Sequence, residues 1–188
     1  MALKLITAAA ALAVSLVEAK AHLRVTVADE DTLITALITA ATETAEQMTG
    51  RALMPQTWEL TLDAFPAAFE LTRTPVASVT SLKYYDDAGT LTTLDAAAYT
   101  LDNADDFGPA FVVPAYATSW PATRDQINAV ALRFVAGYAS AAAVPEPIKA
   151  WIKLQVGAMY ENRESEATGQ THPLGFADTL LDRYKVYA

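Results

Sequence analysis

Apolar residues recur at two different periods along this chain, and the changes of period divide it into three. Near the start, Leu16, Ala19 and Leu23 fall at helical spacing. Ser15-Leu16-Val17-Glu18 forms a capping box, in which the Ser15 hydroxyl accepts the Glu18 amide and the Glu18 carboxylate accepts the Ser15 amide. Lys20, His22 and Arg24 follow toward the carboxyl end, where the helix dipole favours cations. Asp29-Glu30-Asp31 opens a longer helix with acids at its amino end. Leu33, Leu37, Ala41, Ala45 and Met48 make its stripe, with Ile34 and Ile38 beside it and Thr35, Thr39, Thr42 and Glu46 on the polar side. Gly50 suits the left-handed cap and Pro55 prevents continuation.

The middle third alternates. Strands are expected at 57–62, 69–72, 79–85, 90–94 and 129–138, with weaker ones at 99–101 and 111–113. Asp86-Asp87-Ala88-Gly89 is a hairpin turn, and 102–108 is an exposed loop with three acids. Frequent turns between short strands predict a small antiparallel sheet or sandwich. Helical spacing returns after Val144, with Pro145 or Pro147 in a first turn and Ile148, Trp151, Ile152, Gln155, Val156 and Met159 on one side. Helices are thus expected at 16–24, 31–49, 147–162 and 176–183, the last with Leu180, Leu181 and Tyr184 inward. The fold class expected is α+β: a small helical bundle from 1–54 and 144–188, with an antiparallel β insertion, 55–143, between the second and third main helices.

Composition narrows the chemistry. The 188 residues include 39 alanines and 22 threonines, so each residue buries little area and close packing between subunits becomes useful. There is no cysteine, which excludes disulfides and thiolate chemistry, and the two histidines, His22 and His172, are too few for a multi-histidine metal site. The net charge of −9 argues against a nucleic-acid-gripping surface. Most of it lies in 55–143, where 10 acids meet 4 bases.

The first 21 residues also have the outline of a secretory signal, with Lys4, an apolar run and small residues near Ala19 and Ala21. The capping box favours a retained helix instead, and no stretch is long and apolar enough to be read as a membrane span. Tyr84-Tyr85-Asp86-Asp87 invites a glycosidase-like acid pair, but a strand running into its turn explains it better. Asp102, Asp105 and Asp106 lack the spacing and terminal Glu of a calcium loop. No phosphate loop, dinucleotide fingerprint or nucleophile elbow is present. Trp58, Trp120 and Trp151 are scattered among elements and read as core or interface anchors. No catalytic residue, cofactor or metal is expected.

Several segments in order resemble the head–tail connector (adaptor) proteins of tailed bacteriophages, prophages and gene transfer agents. They are Ser15 through Val25, Asp29 to Leu33, Leu37-Ile38, Met48-Thr49-Gly50-Arg51-Ala52-Leu53 and Gln56-Thr57-Trp58-Glu59-Leu60. Ala136-Gly137-Tyr138, Val144-Pro145-Glu146-Pro147-Ile148-Lys149-Ala150, Tyr160-Glu161-Asn162-Arg163-Glu164 and the tail from Leu180 to Val186 complete the series. The run Ala8 to Ala13 departs from the pattern, in a place that often carries prolines.

The resemblance implies a virion structural protein rather than an enzyme. It implies a ring, normally of twelve copies, below the portal protein, which extends the DNA channel and offers the tail its attachment site. Its expected partners are the portal, neighbouring copies and a stopper or tail-completion protein. DNA passes without specific binding, no membrane is involved, and the expected location is the virion neck, with the host cytoplasm during assembly. Phe176, Leu180, Tyr184 and Tyr187 are the candidate docking residues, and Asp86, Asp87, Asp102, Asp105 and Asp106 the candidate channel-facing acids. Alternatives are a neck stopper or tail-completion protein, a secreted β-rich binding module, and a hydrolase built on acid pairs.

Overall fold

The computed structural model describes residues 1–162 and 176–186. Four helices, α1 (Leu16–Leu23), α2 (Asp31–Thr49), α3 (Glu146–Glu161) and α4 (Thr179–Asp182), pack around one apolar cluster. The Ser15 capping box forms as expected, and α1 ends where Arg24 turns left-handed. Helix α2 ends at Gly50 with φ 73°. Ile34, Ile38, Ala41 and Ala45 of α2 join Ile148, Trp151, Ile152 and Val156 of α3 in the core, together with Leu181 of α4. The small side chains at Ala41 and Ala45 permit close helix approach.

The buried stripe of α2 is rotated from the expected one. Leu33 is 37% exposed, whereas Thr42, expected on the polar side, is buried. The Thr42 hydroxyl donates to the Ile38 carbonyl at 2.7 Å, which removes the cost of burying it.

Between α2 and α3 in sequence come seven strands: β2 (Gln56–Leu62), β3 (Phe69–Leu71), β4 (Val76–Tyr85), β5 (Leu91–Thr93), β6 (Tyr99–Asp102), β7 (Ala110–Pro114) and β8 (Val130–Ala136). The expected strands are all present within a few residues. An eighth was not expected: Ala2–Thr7 forms β1, antiparallel to β2, with Leu3 opposite Leu60 and Leu5 opposite Trp58. Residues that also fit the outline of a secretory signal thus build a sheet edge, the buried Ala13-Val14 step and most of α1. Strand β1 carries little local signal because its partner lies fifty or more residues away in sequence.

The sheets have orders β1-β2-β8-β4-β5 and β3-β7-β6, with every pairing antiparallel. A second core lies in this β region and includes Leu60, Phe69, Leu71, Leu82, Val112, Leu132 and Phe134. Phe65 stacks on Trp120 at 5.0 Å, and Phe69 meets the same indole edge-on at 5.4 Å.

Helices and sheet meet where α2 runs into β2. One Glu46 carboxylate oxygen accepts the Leu53 amide and the Gln56 side-chain amide, both at 2.7 Å. Gly137 follows β8 at φ 123° against the Met54 carbonyl. A Cβ there would overlap that carbonyl, so both conformation and space demand glycine.

A second tie joins α1 to α3. Lys149 Nζ, almost fully buried, reaches a Glu18 carboxylate oxygen at 2.7 Å. Lys149 first, then the Ser15 amide and hydroxyl, hold the Glu18 carboxyl down from its ordinary 4.5 to about 2. The same pairing raises Lys149.

Two outcomes follow from these contacts. Gly137→Ala should cost roughly 2–4 kcal/mol through strain and backbone overlap, read as a lower urea midpoint; a loss below about 0.5 kcal/mol would contradict the close approach. Because Glu18 ionises more readily in the folded chain, its contribution is complete above about pH 4.5 and is lost as pH falls toward 2. Glu18→Gln should flatten the stability–pH curve in that window. The Glu18 side chain is 38% exposed, so solvent screening keeps the loss at pH 7 to about 1 kcal/mol.

Candidate functional site

The carboxyl-terminal segment lies against the helical body, anchored by fully buried Leu181. Of the four expected docking residues, Phe176 is 56% exposed, Leu180 and Tyr184 are half-buried against the helical core, and Tyr187 lies outside the described residues. The Trp151 indole N–H donates to Asp178 at 3.2 Å, and the Val186 amide donates to the Thr49 carbonyl at 2.8 Å. Among the three described, Phe176 is therefore the freest apolar group, while Leu180 and Tyr184 are partly spent on holding the segment down.

The centre of this region is Arg51, the residue after the α2-ending glycine. Only 1% of it is exposed. Its Nε donates to the Tyr184 carbonyl at 2.6 Å, and another guanidinium nitrogen donates to the Phe107 carbonyl at 2.9 Å. The Arg51 and Arg183 guanidinium carbons lie 5.9 and 4.8 Å from the Phe107 ring centroid. Tyr184 packs against the same ring at 6.4 Å. Burial pushes the nearby Tyr138 hydroxyl up, with Arg51 opposing. Backbone carbonyls of two distant segments accept from the guanidinium, and its charge also acts on the Asp105 carboxylate and the Tyr138 hydroxyl.

Arg51 thereby joins two sets of residues that the sequence presents separately, the carboxyl-terminal segment and the acidic loop 102–108. Within that loop, Asp105 accepts the Phe107 amide at 2.8 Å, and this bond, with one from the Gly108 amide, holds its carboxyl below the usual carboxylate range. Asp102 accepts the Ala104 amide at 3.2 Å. The exposed carboxylates of Asp102, Asp105 and Asp106 project from one short turn.

Asp86 and Asp87 sit elsewhere. Asp86 closes the β4–β5 hairpin by accepting the Thr90 amide at 2.8 Å. The two acid sets lie at opposite ends of β4, because Asn103 donates to the Val76 carbonyl at its start, while Asp86 follows Tyr85 at its end. Over a strand of this length the separation is roughly 30 Å. They cannot form one cluster.

Enzyme-like features stay weak. A cleft of about 620 Å³ lies between residues 8–12, α2 and β2, lined by Leu5, Leu12, Glu43, Gln47, Trp58 and Arg73 among others. His22 does not line it. Among the described residues no group of three or more His, Cys, Asp or Glu could hold a metal ion, and no helix is long and apolar enough to cross a membrane.

Arg51 and Phe107 escaped the sequence reading as site residues. Arg51 stood within the helix-end motif, but nothing local reveals that its carbonyl partners lie 56 and 133 residues away. Arg51→Ala should destabilise the fold by about 2–4 kcal/mol, since buried carbonyls lose charged donors. It should also raise hydrogen exchange in 102–108 and 176–186 together. Faster exchange in only one of them would show that Arg51 does not couple the two.

Comparison with known proteins bears on what this arrangement serves. Residues 13–88 match the family model described as phage gp6-like head-tail connector protein. No curated protein matches the chain. Among solved structures, a chain from the neck of an empty gene transfer agent particle, computed with C6 symmetry, aligns at TM-score 0.80 and 29% identity, covering 100% of this chain and 97% of that one. A chain from the virion of a native gene transfer agent particle gives 0.81 and 27%, with the same coverage. One from a native neck computed with C12 symmetry gives 0.77 and 26%, again over 100% and 97%. The matched family is one of structural connectors, not enzymes. The resemblance read from the sequence therefore holds: this chain is head–tail connector-like in sequence over residues 13–88 and, along its whole length, similar in fold to chains of gene transfer agent necks and virions.

Proposed function

We propose that this protein is a structural component of a virion neck, a head–tail adaptor that forms a ring under the portal, extends the DNA channel and gives the tail its attachment site. The observation that carries this reading is the full-length similarity to a neck chain at TM-score 0.80 and 29% identity. Necks computed with C6 and C12 symmetry support a ring of copies around the channel axis. Helices from 1–54 and 144–188 serve in this reading as the connector domain and 55–143 as an inserted β-rich domain, with β1 reaching across from the first part to the sheet. The carboxyl-terminal segment docks on the portal or a neighbouring copy through Phe176, with Leu180, Tyr184 and Tyr187 behind it.

The acids line the channel in this reading. At about 0.15 M salt the field of each annulus reaches roughly 8 Å into the lumen, which keeps the DNA backbone from the wall. Because the two acid sets stand at opposite ends of β4, they act at two separate positions on the subunit.

Microscopy of purified necks carrying a label on this protein tests the placement: density directly beneath the portal is expected, and a label farther down would favour a stopper. Deleting residues 176–188 should leave filled heads without tails, and normal infectious particles from that deletion would sink the docking role. Charge reversal to Lys at Asp86 and Asp87, or at Asp102, Asp105 and Asp106, should slow DNA ejection for each set that faces the lumen, with the defect fading at higher salt. Unchanged ejection for both would place the acids on the outer surface.

A further inference from the structure

The five-stranded sheet ends in two free edges of different character. At one, all six residues of β1 are exposed, and the strand is hydrogen-bonded on one side only, to β2. Leu3, Leu5 and Ile6 are 37, 42 and 37% exposed. Lys4 is the sole charged side chain among residues 1–17. At the other edge, β5 carries Leu91, 53% exposed. The stretch 86–102 around it holds Asp86, Asp87, Asp95 and Asp102 and no basic residue. An open edge offers a row of unpaired amides and carbonyls to another strand. One lysine is slight protection for an apolar edge six residues long.

The strand order adds a directional match. Four antiparallel steps separate β1 from β5, so the two edge strands run the same way. A rotation about an axis along the strands preserves that direction. Copies related by such a rotation bring β1 of one beside β5 of the next as a parallel pair, identically at every step. A cyclic ring needs two different and complementary patches on each subunit. Here one edge is apolar with a lysine, and the other is apolar with flanking carboxylates.

We propose that β1 of one copy adds to the β5 edge of the next, so that the sheets join side by side around the ring. This rests on the ring reading above and names the surface by which neighbouring copies meet. The cleft beside β1 then lies next to the subunit boundary, and the β4–β5 hairpin carries Asp86 and Asp87 to the same seam.

The chain has no cysteine, so introduced thiols report cleanly. Within one copy β1 and β5 are separated by β2, β8 and β4, about 19 Å at sheet spacing. That is far beyond the roughly 7 Å between Cα atoms that a disulfide tolerates, and any cross-link must join two copies. The test uses Leu3→Cys with Thr92→Cys, and Lys4→Cys with Thr93→Cys, which follow one parallel register with each pair on one face of the sheet, in assembled necks, under oxidation and with a short bis-maleimide that tolerates register. The expected result is a covalent ladder climbing toward the full ring in a double variant, with each single variant remaining monomeric. Dimers from Leu3→Cys alone would mean that β1 pairs with β1, which overturns the proposal. Rings visible by microscopy without a ladder would also overturn it, while leaving the ring reading intact. Absence of the protein from necks would overturn both. As a measurement that does not depend on thiols, Lys4→Glu should reduce ring occupancy at low salt, and Asp95→Lys in the same chain should restore it. Unchanged occupancy in Lys4→Glu would count against the paired edges.

Discussion

Arg51 is a buried cation whose guanidinium donates to backbone carbonyls, and much of the arrangement of this protein hangs on how its protons are used. A guanidinium taken out of water must find acceptors in the right plane. Here they are the carbonyls of Tyr184 and Phe107, from the carboxyl-terminal segment and from a loop of the β region. The demand of one side chain therefore brings three parts of the chain together: the end of α2, the loop before β7 and the turn after α4. The Phe107 ring, with Arg51 and Arg183 close by and Tyr184 packed against it, completes the junction. A segment proposed to meet a partner and a loop proposed to face DNA share this support, so a movement of one bears on the other.

Around that junction the molecule has two separate apolar cores, one among the helices and one between the sheets. Their connection is polar and backbone-made. Glu46 holds the chain as it leaves α2, Gly137 allows β8 to pass the Met54 carbonyl, and the Ala52 amide donates to the Thr74 carbonyl at 3.0 Å. Such a connection fixes direction without merging the cores.

The distribution of charge follows the division of the chain. The β region carries most of the excess acid, on turns where carboxylates also close the local backbone, as Asp86 does for Thr90 and Asp105 for Phe107. These acids accept backbone amides and still present charge to solvent. Three basic groups are held in ion pairs: Lys149 with Glu18, Lys20 with Asp31 at 2.5 Å, and Arg133 with Glu59 at 2.7 Å.

Local sequence determined the elements whose causes are local. The Ser15 capping box, the stop at Gly50, the Asp86–Gly89 hairpin and the proline-led start of α3 each rest on residues within a few positions of one another, and each is found where the pattern puts it. The family resemblance was legible too, because its motifs lie in order along the chain. What remained hidden depends on distant partners. Strand β1 exists because β2 offers it an edge, Thr42 is buried because α2 turns its stripe toward α3, and Arg51 becomes a junction only when residues 56 and 133 positions away close over it. Periodicity records which face of an element is apolar. Tertiary packing alone decides which surface that face meets, since the free energy of burial belongs to the pair and not to either sequence by itself.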